Sequence, residues 1–289
     1  PQADDEDEIR SCTVETVVRV RKLGPSLIPD KSVPEVTISG KGSGGHGIEL
    51  ATEMSGLVDP VSEAYTRAPG GRPGTRLVST RFTERNVVFR VTILGDSDEW
   101  FANEQVWRSL WSYDSYTEIE VVTAKKKRVL RVRLEEYEVD TNYDPAVMGA
   151  VDVNMSVVAD DPFWYDAAFI RSWRRVDGLT RYDFDSLHGP VFPRFKVGNA
   201  SGVTINYATD RYGRYIALPN SLNSAYTYHI NLDPGSRQVS CDKDPNVWNR
   251  MNGVRFDLPD SDKINYFSVA PIDRGVLWVQ VECPYMRPW

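Results

Sequence analysis

Apolar and polar positions alternate with a period of two along much of this chain, which is the signature of strands with one wet face. Val87, Phe89, Val91 and Ile93 alternate with Asn86, Arg90 and Thr92. Val151, Val153, Met155 and Val157 alternate with Asp152, Asn154 and Ser156, and the run ends at Asp161-Pro162, because proline has no donor for a ladder. Cys12, Val14, Thr16, Val18 and Val20 predict an early strand. Ile119 and Val121 lead through a turn at 123–127 into Val129, Leu130, Val132 and Leu134, which reads as a hairpin. The phase then slips by one residue to Tyr137 and Val139, which predicts a β-bulge. One stretch has helical periodicity instead. Trp100, Trp107 and Trp111, with Leu110, fall on one face, and Asp96 stands three residues before Glu99 at capping-box spacing.

From Phe192 onward the pattern is short strands and turns: Phe195 and Val197; Val203, Ile205 and Tyr207; Tyr228, Ile230 and Leu232; Ile264, Phe267 and Val269; Leu277, Val279, Val281 and Cys283. Asp233-Pro234-Gly235-Ser236 and residues 259–262 read as turns. The fold class is mostly β, with a β-sandwich at the C-terminal end. Gly/Pro-rich stretches at 24–47 and 56–74 read as loops, and the charged, aperiodic run 171–187 as a connector ending at His188-Gly189-Pro190. The expected organisation is an N-terminal extension of the first domain at 1–47, the body of that domain at 48–177, a linker at 178–190 and a sandwich domain at 191–289.

Composition sharpens this picture. A chain of 289 residues suits two cores, and 14 Tyr, 10 Phe and 8 Trp favour sheets and contact surfaces. No apolar run approaches the roughly 18 residues of a membrane span, so membrane insertion is not expected. The acidic start lacks a signal peptide's basic and apolar regions, which points to synthesis in the cytoplasm. Cys12, Cys241 and Cys283 are odd in number and far apart, and are expected as buried free thiols. Asn154 and Asn199 then match glycosylation sequons by chance. A net charge of −7 argues against general affinity for nucleic acid.

Catalytic chemistry finds no constellation. His46, His188 and His229 lie in unrelated contexts, without metal-ligand spacing. Gly40-Lys41-Gly42-Ser43-Gly44-Gly45 matches a dinucleotide fingerprint by letter, and Val36 with Ile38 could supply its strand, but His46-Gly47-Ile48-Glu49-Leu50 offers no helix to receive a pyrophosphate. Glu135 and Glu136 are adjacent on a strand and point to opposite faces, a poor acid/base dyad unless the bulge reorients them. No catalytic residue, metal or cofactor is expected. Lys125, Lys126 and Lys127 suit either a solvated turn or contact with a phosphate or an acidic neighbour, and Phe163, Trp164 and Tyr165 suit either this domain's own core or a neighbour's surface.

The strand closed by Ala-Asp-Asp-Pro-Phe-Trp-Tyr at 159–165 resembles the end of the first domain in distal tail proteins and minor tail proteins of long-tailed bacteriophages. The likeness runs in two blocks. The first spans about Ile48 to Tyr165. The second spans Gly189 to Trp289, opening Pro-Val-Phe-Pro-Arg-Phe-Lys-Val-Gly-Asn-Ala and closing Tyr-Met-Arg-Pro-Trp. The resemblance implies a tail-tube-like β domain with one flanking α-helix, followed by a galectin-like β-sandwich. It implies a non-enzymatic virion protein of the phage tail, six copies forming a ring between the tail tube and the tip or baseplate, with a channel for DNA. Its implied partners are further copies of itself, the tail tube protein, the tip or baseplate hub and the tape measure protein, with DNA passing unbound. Phe163, Trp164, Tyr165, Lys125, Lys126, Lys127 and Trp289 are the candidate interface residues. The alternative is a carbohydrate-binding module for a host surface glycan, with Trp248, Tyr226 and His229 as its platform. The long acidic and Gly/Pro-rich start departs from compact members of the family.

Overall fold

The computed structural model describes residues 16–139 apart from positions 26, 69 and 72, residues 144–166, and residues 169–173, 181–183, 194–198, 201–209, 212–233, 239–251, 254, 266–270, 277–281 and 284–289. Two compact units result, one made of residues 1–162 with 287–289 and one of residues 163–286.

The first unit holds, in chain order, β1 (Val17–Lys22), β2 (Val36–Ser39), β3 (Ile48–Leu50), β4 (Ser62–Arg67), β5 (Arg76–Phe82), β6 (Arg85–Leu94), α1 (Ser97–Leu110), β7 (Thr117–Val122), β8 (Lys127–Val139), the single turn α2 (Pro145–Met148) and β9 (Ala150–Ala159). Seven of these strands form one antiparallel path, β2-β1-β7-β8-β9-β6-β3. Their register stacks apolar side chains in rows: Val20 beside Ile119 beside Leu130, Leu134 beside Val157 beside Val87, and Met155 beside Phe89. All of these are buried. Such cross-strand rows fix the register, since a slip of one residue would turn every apolar group to water. The expected bulge is present: Leu134 pairs Val157 and Glu136 pairs Ser156, leaving Glu135 as the extra residue.

Helix α1 brings Trp107, and Trp111 at its C-cap, onto Phe89, and buries Leu110. The Phe89 ring lies 6.5 Å from Trp107 and 6.0 Å from Trp111, and those two indoles meet edge-on at 5.1 Å. Large rings in tilted contact supply much of a core's apolar burial. The capping box is not formed. Asp96 is the N-cap, but it caps through its backbone carbonyl, which accepts from the amides of Glu99 and Trp100, and its side chain makes no cap bond.

The second unit holds β10 (Trp164–Asp166), β11 (Phe169–Trp173), β12 (Arg181–Asp183), β13 (Arg194–Gly198), β14 (Thr204–Thr209), β15 (Tyr212–Ala217), β16 (Thr227–Asn231), β17 (Val239–Cys241), the single turn α3 (Val247–Arg250), β18 (Tyr266–Ala270), β19 (Leu277–Val281) and β20 (Pro284–Tyr285). Two antiparallel sheets form it, β11-β19-β13-β16-β17 and β12-β18-β14-β15. Phe195, Val197, Tyr228, Ile230 and Val239 are buried on the first, and Ile205 and Ile216 on the second. The mostly β class, with one substantial helix and a terminal sandwich, is the one the alternation predicts.

Several local expectations are corrected. Residues 24–47 contain β2, whose Val36 and Ile38 are buried. Residues 56–74 contain β4. The run 171–187 includes β12 and the end of β11, which pair with β18 and β19 of the second unit, so the compact units part at Pro162, whereas composition places a linker at 178–190. Cys241 is a free thiol but half-exposed rather than buried. Cys12, Cys283 and the expected turns at 233–236 and 259–262 lie wholly or mostly outside the described residues. The Gly40–Gly45 run joins two strands and opens no helix, which removes the geometry a pyrophosphate needs.

Candidate assembly surface

Strands β4 and β5 form a hairpin that, among the described residues, pairs with no other strand. Every residue of β4 is exposed, and so is all of β5 up to Phe82. Apolar groups ride on it: Tyr65 is 49% exposed, Leu77 57% and Val78 65%. A lone two-stranded hairpin is marginal in water, and exposed β-branched and aromatic side chains on it lack a cover. This arm carries no apolar alternation, because neither face is buried within the chain.

The root of the arm is held firmly. Arg85 opens β6 on its inward face, 2% exposed. Its Nε donates to the Pro162 carbonyl at 2.7 Å, and its Nη1 donates to the carbonyls of Gly56 and Leu57 at 3.0 and 2.6 Å. Burial pulls the guanidinium down to about 10, partly offset by the nearby Asp59 carboxylate. Gly56 is at φ +80°, and a Cβ there would stand 1.9 Å from the Asn86 carbonyl oxygen, so this position requires glycine. Asp59 receives two bonds from Arg287, Nε to Oδ1 at 3.0 Å and Nη2 to Oδ2 at 2.8 Å. That pair lowers the Asp59 carboxyl below its ordinary value. Arg128, buried on β8, donates to the carbonyls of Arg287 and Trp289 at 2.7 and 2.9 Å. Residues 56–59 are thereby fixed between two guanidinium groups, and the projecting arm starts from a rigid base. Sequence reasoning passed over Arg85; its one signal is that a charged residue occupies the inward phase of the Val87–Ile93 alternation.

The lysines expected to face a neighbour divide. Lys125 and Lys126 are exposed at the β7–β8 turn. Lys127 lies at 2.6 Å from Glu120, whose fully buried carboxylate is also reached by Arg21 at 3.3 Å and Arg19 at 3.5 Å. The Lys127 charge is thus engaged within its own chain. Phe163 and Trp164 are buried, Tyr165 is half-buried and Trp289 is exposed. In the second unit Trp248 is 42% exposed on α3, His229 is exposed on β16, and the Tyr226 ring has the Lys243 ammonium 5.8 Å from its centroid. Among the described residues, no group of three or more His, Cys, Asp or Glu side chains could hold a metal ion.

Hub proteins of phage tails share this fold. The chain matches the Dit protein (gp 19.1) of phage SPP1, described as a paradigm of the hub adsorption apparatus in phages infecting Gram-positive hosts, with a TM-score of 0.58 at 12% identity, over 82% of this chain and 93% of that one. It matches a chain of the phage P2 baseplate in its activated conformation with Ca at a TM-score of 0.59 and 9% identity, over 94% and 99%. No protein-family model matches. The chain is 31% identical to minor tail protein Gp27 of Mycobacterium phage L5 and 25% identical to Gp27 of Mycobacterium phage D29, in each case over 74% of its own length and 82% of theirs. It belongs to this family of mycobacteriophage minor tail proteins, and is a structural component of the virion tail.

Proposed function

We propose that this chain is a non-enzymatic distal tail ring protein: six copies close a ring that joins the tail tube to the tip or baseplate and leaves a channel through which DNA passes without specific binding. The observation that carries this reading is the arm, an exposed apolar hairpin on a rigid root. A cyclic assembly needs two different patches that meet head to tail, and a projecting element on one copy that seats on the body of the next supplies such a pair. The hub and baseplate proteins of the same fold favour this position in the tail. The tail tube, the hub and the tape measure protein are the remaining proposed partners. Electron microscopy of the concentrated protein tests the reading. Six-fold rings with a central hole support it; a persistent monomer whose turnover of a substrate depends on a particular carboxylate would overturn it.

A second reading rests on Trp248, whose exposed indole on a one-turn helix suits stacking against a sugar ring. Under it the second unit binds a host surface glycan, with Tyr226 and His229 as the other candidate residues of the platform. Glycan binding that disappears in Trp248→Ala supports this role, and no binding across a broad glycan array removes it.

A further inference from the structure

Near the tip of the arm, Arg67 on β4 and Arg76 on β5 are directly opposite in the register. Like charges in a cross-strand pair repel, with Cβ atoms only about 5 Å apart. Among the described residues neither guanidinium has a carboxylate within ion-pair distance. The same two side chains line an open recess of about 530 Å³ together with Ala68, Gly70, Leu77 and Val78. Residues 62–82 hold four arginines, Arg67, Arg72, Arg76 and Arg81, against the single Glu63; the arm is therefore +3 in a chain of net −7, leaving −10 on the rest. A hairpin that opposes two arginines beside exposed leucine and valine is built to receive an anion that also carries apolar or backbone surface.

We propose that the arm tip is an acceptor for an acidic peptide segment, and that the segment is the run Asp4-Asp5-Glu6-Asp7-Glu8 of a second copy of this chain. The choice of a second copy rests on the ring reading above; the recognition chemistry does not. Guanidinium groups bind carboxylates through two parallel N–H donors, and paired arginines need more than one carboxylate to be neutralised. Five consecutive carboxylates meet that need. A polyanionic duplex fits less well, because apolar Leu77 and Val78 border the arginines and a phosphate backbone offers them no apolar partner. The mutual repulsion of Arg67 and Arg76 becomes an advantage once a carboxylate run lies between them, and the contact ties one copy's acidic run to its neighbour's arm.

The test uses the full chain carrying D4N/D5N/E6Q/D7N/E8Q, so that its own acidic run does not compete, and a fluorescein-labelled peptide of residues 1–10. Anisotropy should report binding that weakens about tenfold or more in high salt and about tenfold or more when R67E/R76E is added. Assembly of the five-fold neutralised chain, read by mass photometry, should fall about tenfold or more below that of the unmodified chain. A chain carrying both R67E/R76E and D4K/D5K/E6K/D7K/E8K should recover it. No peptide binding overturns the proposal. Peptide binding with unchanged assembly overturns the second copy as its source. Duplex DNA bound with the same arginine dependence, in place of the peptide, assigns the recess to nucleic acid and overturns it as well. Unmodified chains that stay monomeric while still binding the peptide through Arg67 and Arg76 defeat the ring reading alone and leave the acidic-peptide site standing.

Discussion

Arg85 concentrates an unusual amount of local order. One buried guanidinium satisfies three backbone carbonyls on two separate segments, Gly56 and Leu57 ahead of the arm and Pro162 after β9. Arg85→Met keeps the length of the side chain but leaves those carbonyls without a donor. Unfolding in urea should show a loss of roughly 3 kcal/mol, and Arg85→Lys should recover only part, because an ammonium cannot reproduce the fork. An unchanged midpoint in Arg85→Met would show that water replaces the guanidinium. The exposed pair Asp59–Arg287 makes a pH-dependent prediction instead. Its arginine holds the folded Asp59 below the unfolded value of 3.8, so the attachment is present above that pH and is lost as pH falls through the depressed pKa. Amide hydrogen exchange at residues 287–289, taken relative to an unstructured peptide at the same pH, should be slow at neutral pH and accelerate below 3.8. Asp59→Asn should show the fast rate at every pH.

At the scale of elements, legibility followed burial. Strands β6 and β9 and the bulge in β8 could be read because one face of each is packed, which forces apolar residues into a fixed phase. Helix α1 could be read because its three tryptophans mark one face. The arm could not: with both faces in water, β4 and β5 carry no alternation, and Pro69, Gly70, Gly71, Pro73 and Gly74 make the region look like loop. The candidate surface was hidden for the same reason, since interface residues of one copy are buried only by another. Two predictions belong here. The Trp107 indole N–H is buried without an acceptor, so its value to α1 is the ring's packing against Phe89 and Trp111. Trp107→Phe should cost roughly 1–2 kcal/mol in thermal or urea unfolding and Trp107→Ala roughly 3–5, a difference set by cavity size; equal costs would point to a polar role for the indole. Replacing residues 63–81 by a short glycine turn should leave the melting temperature of the monomer nearly unchanged, because those residues bury almost nothing within the chain. The same deletion should abolish rings in electron microscopy, and intact rings would remove the arm from the assembly.

For the molecule as a whole, the connectivity differs from two beads on a string. The chain leaves the first unit after Pro162 and returns to it at Arg287, so the second unit is an insertion between two parts of the first. Composition does not reveal this, because three returning residues carry no periodic pattern, and their attachment depends on Arg128 and Asp59, which are distant in sequence. The two crossings run side by side: Trp164 pairs Tyr285 and Tyr165 pairs Pro284 in an antiparallel ladder. Paired strands lie about 5 Å apart, a gap that a two-residue turn can close. Replacing residues 166–283 by Asn-Gly should therefore convert β10 and β20 into an ordinary hairpin. The shortened chain keeps the seven-strand path, α1, the Arg85 contacts and the Arg128 clasp on the returning residues, which together make up the first unit's core. It should unfold in a single cooperative urea transition and retain the near-ultraviolet circular dichroism of the tryptophans packed on Phe89. If assembly depends on the arm and on the first unit alone, the shortened chain should also close rings. A molten or aggregated product would mean that the first unit depends on the insertion for its fold, and a well-folded monomer would mean that the inserted unit supplies contacts the ring cannot form without.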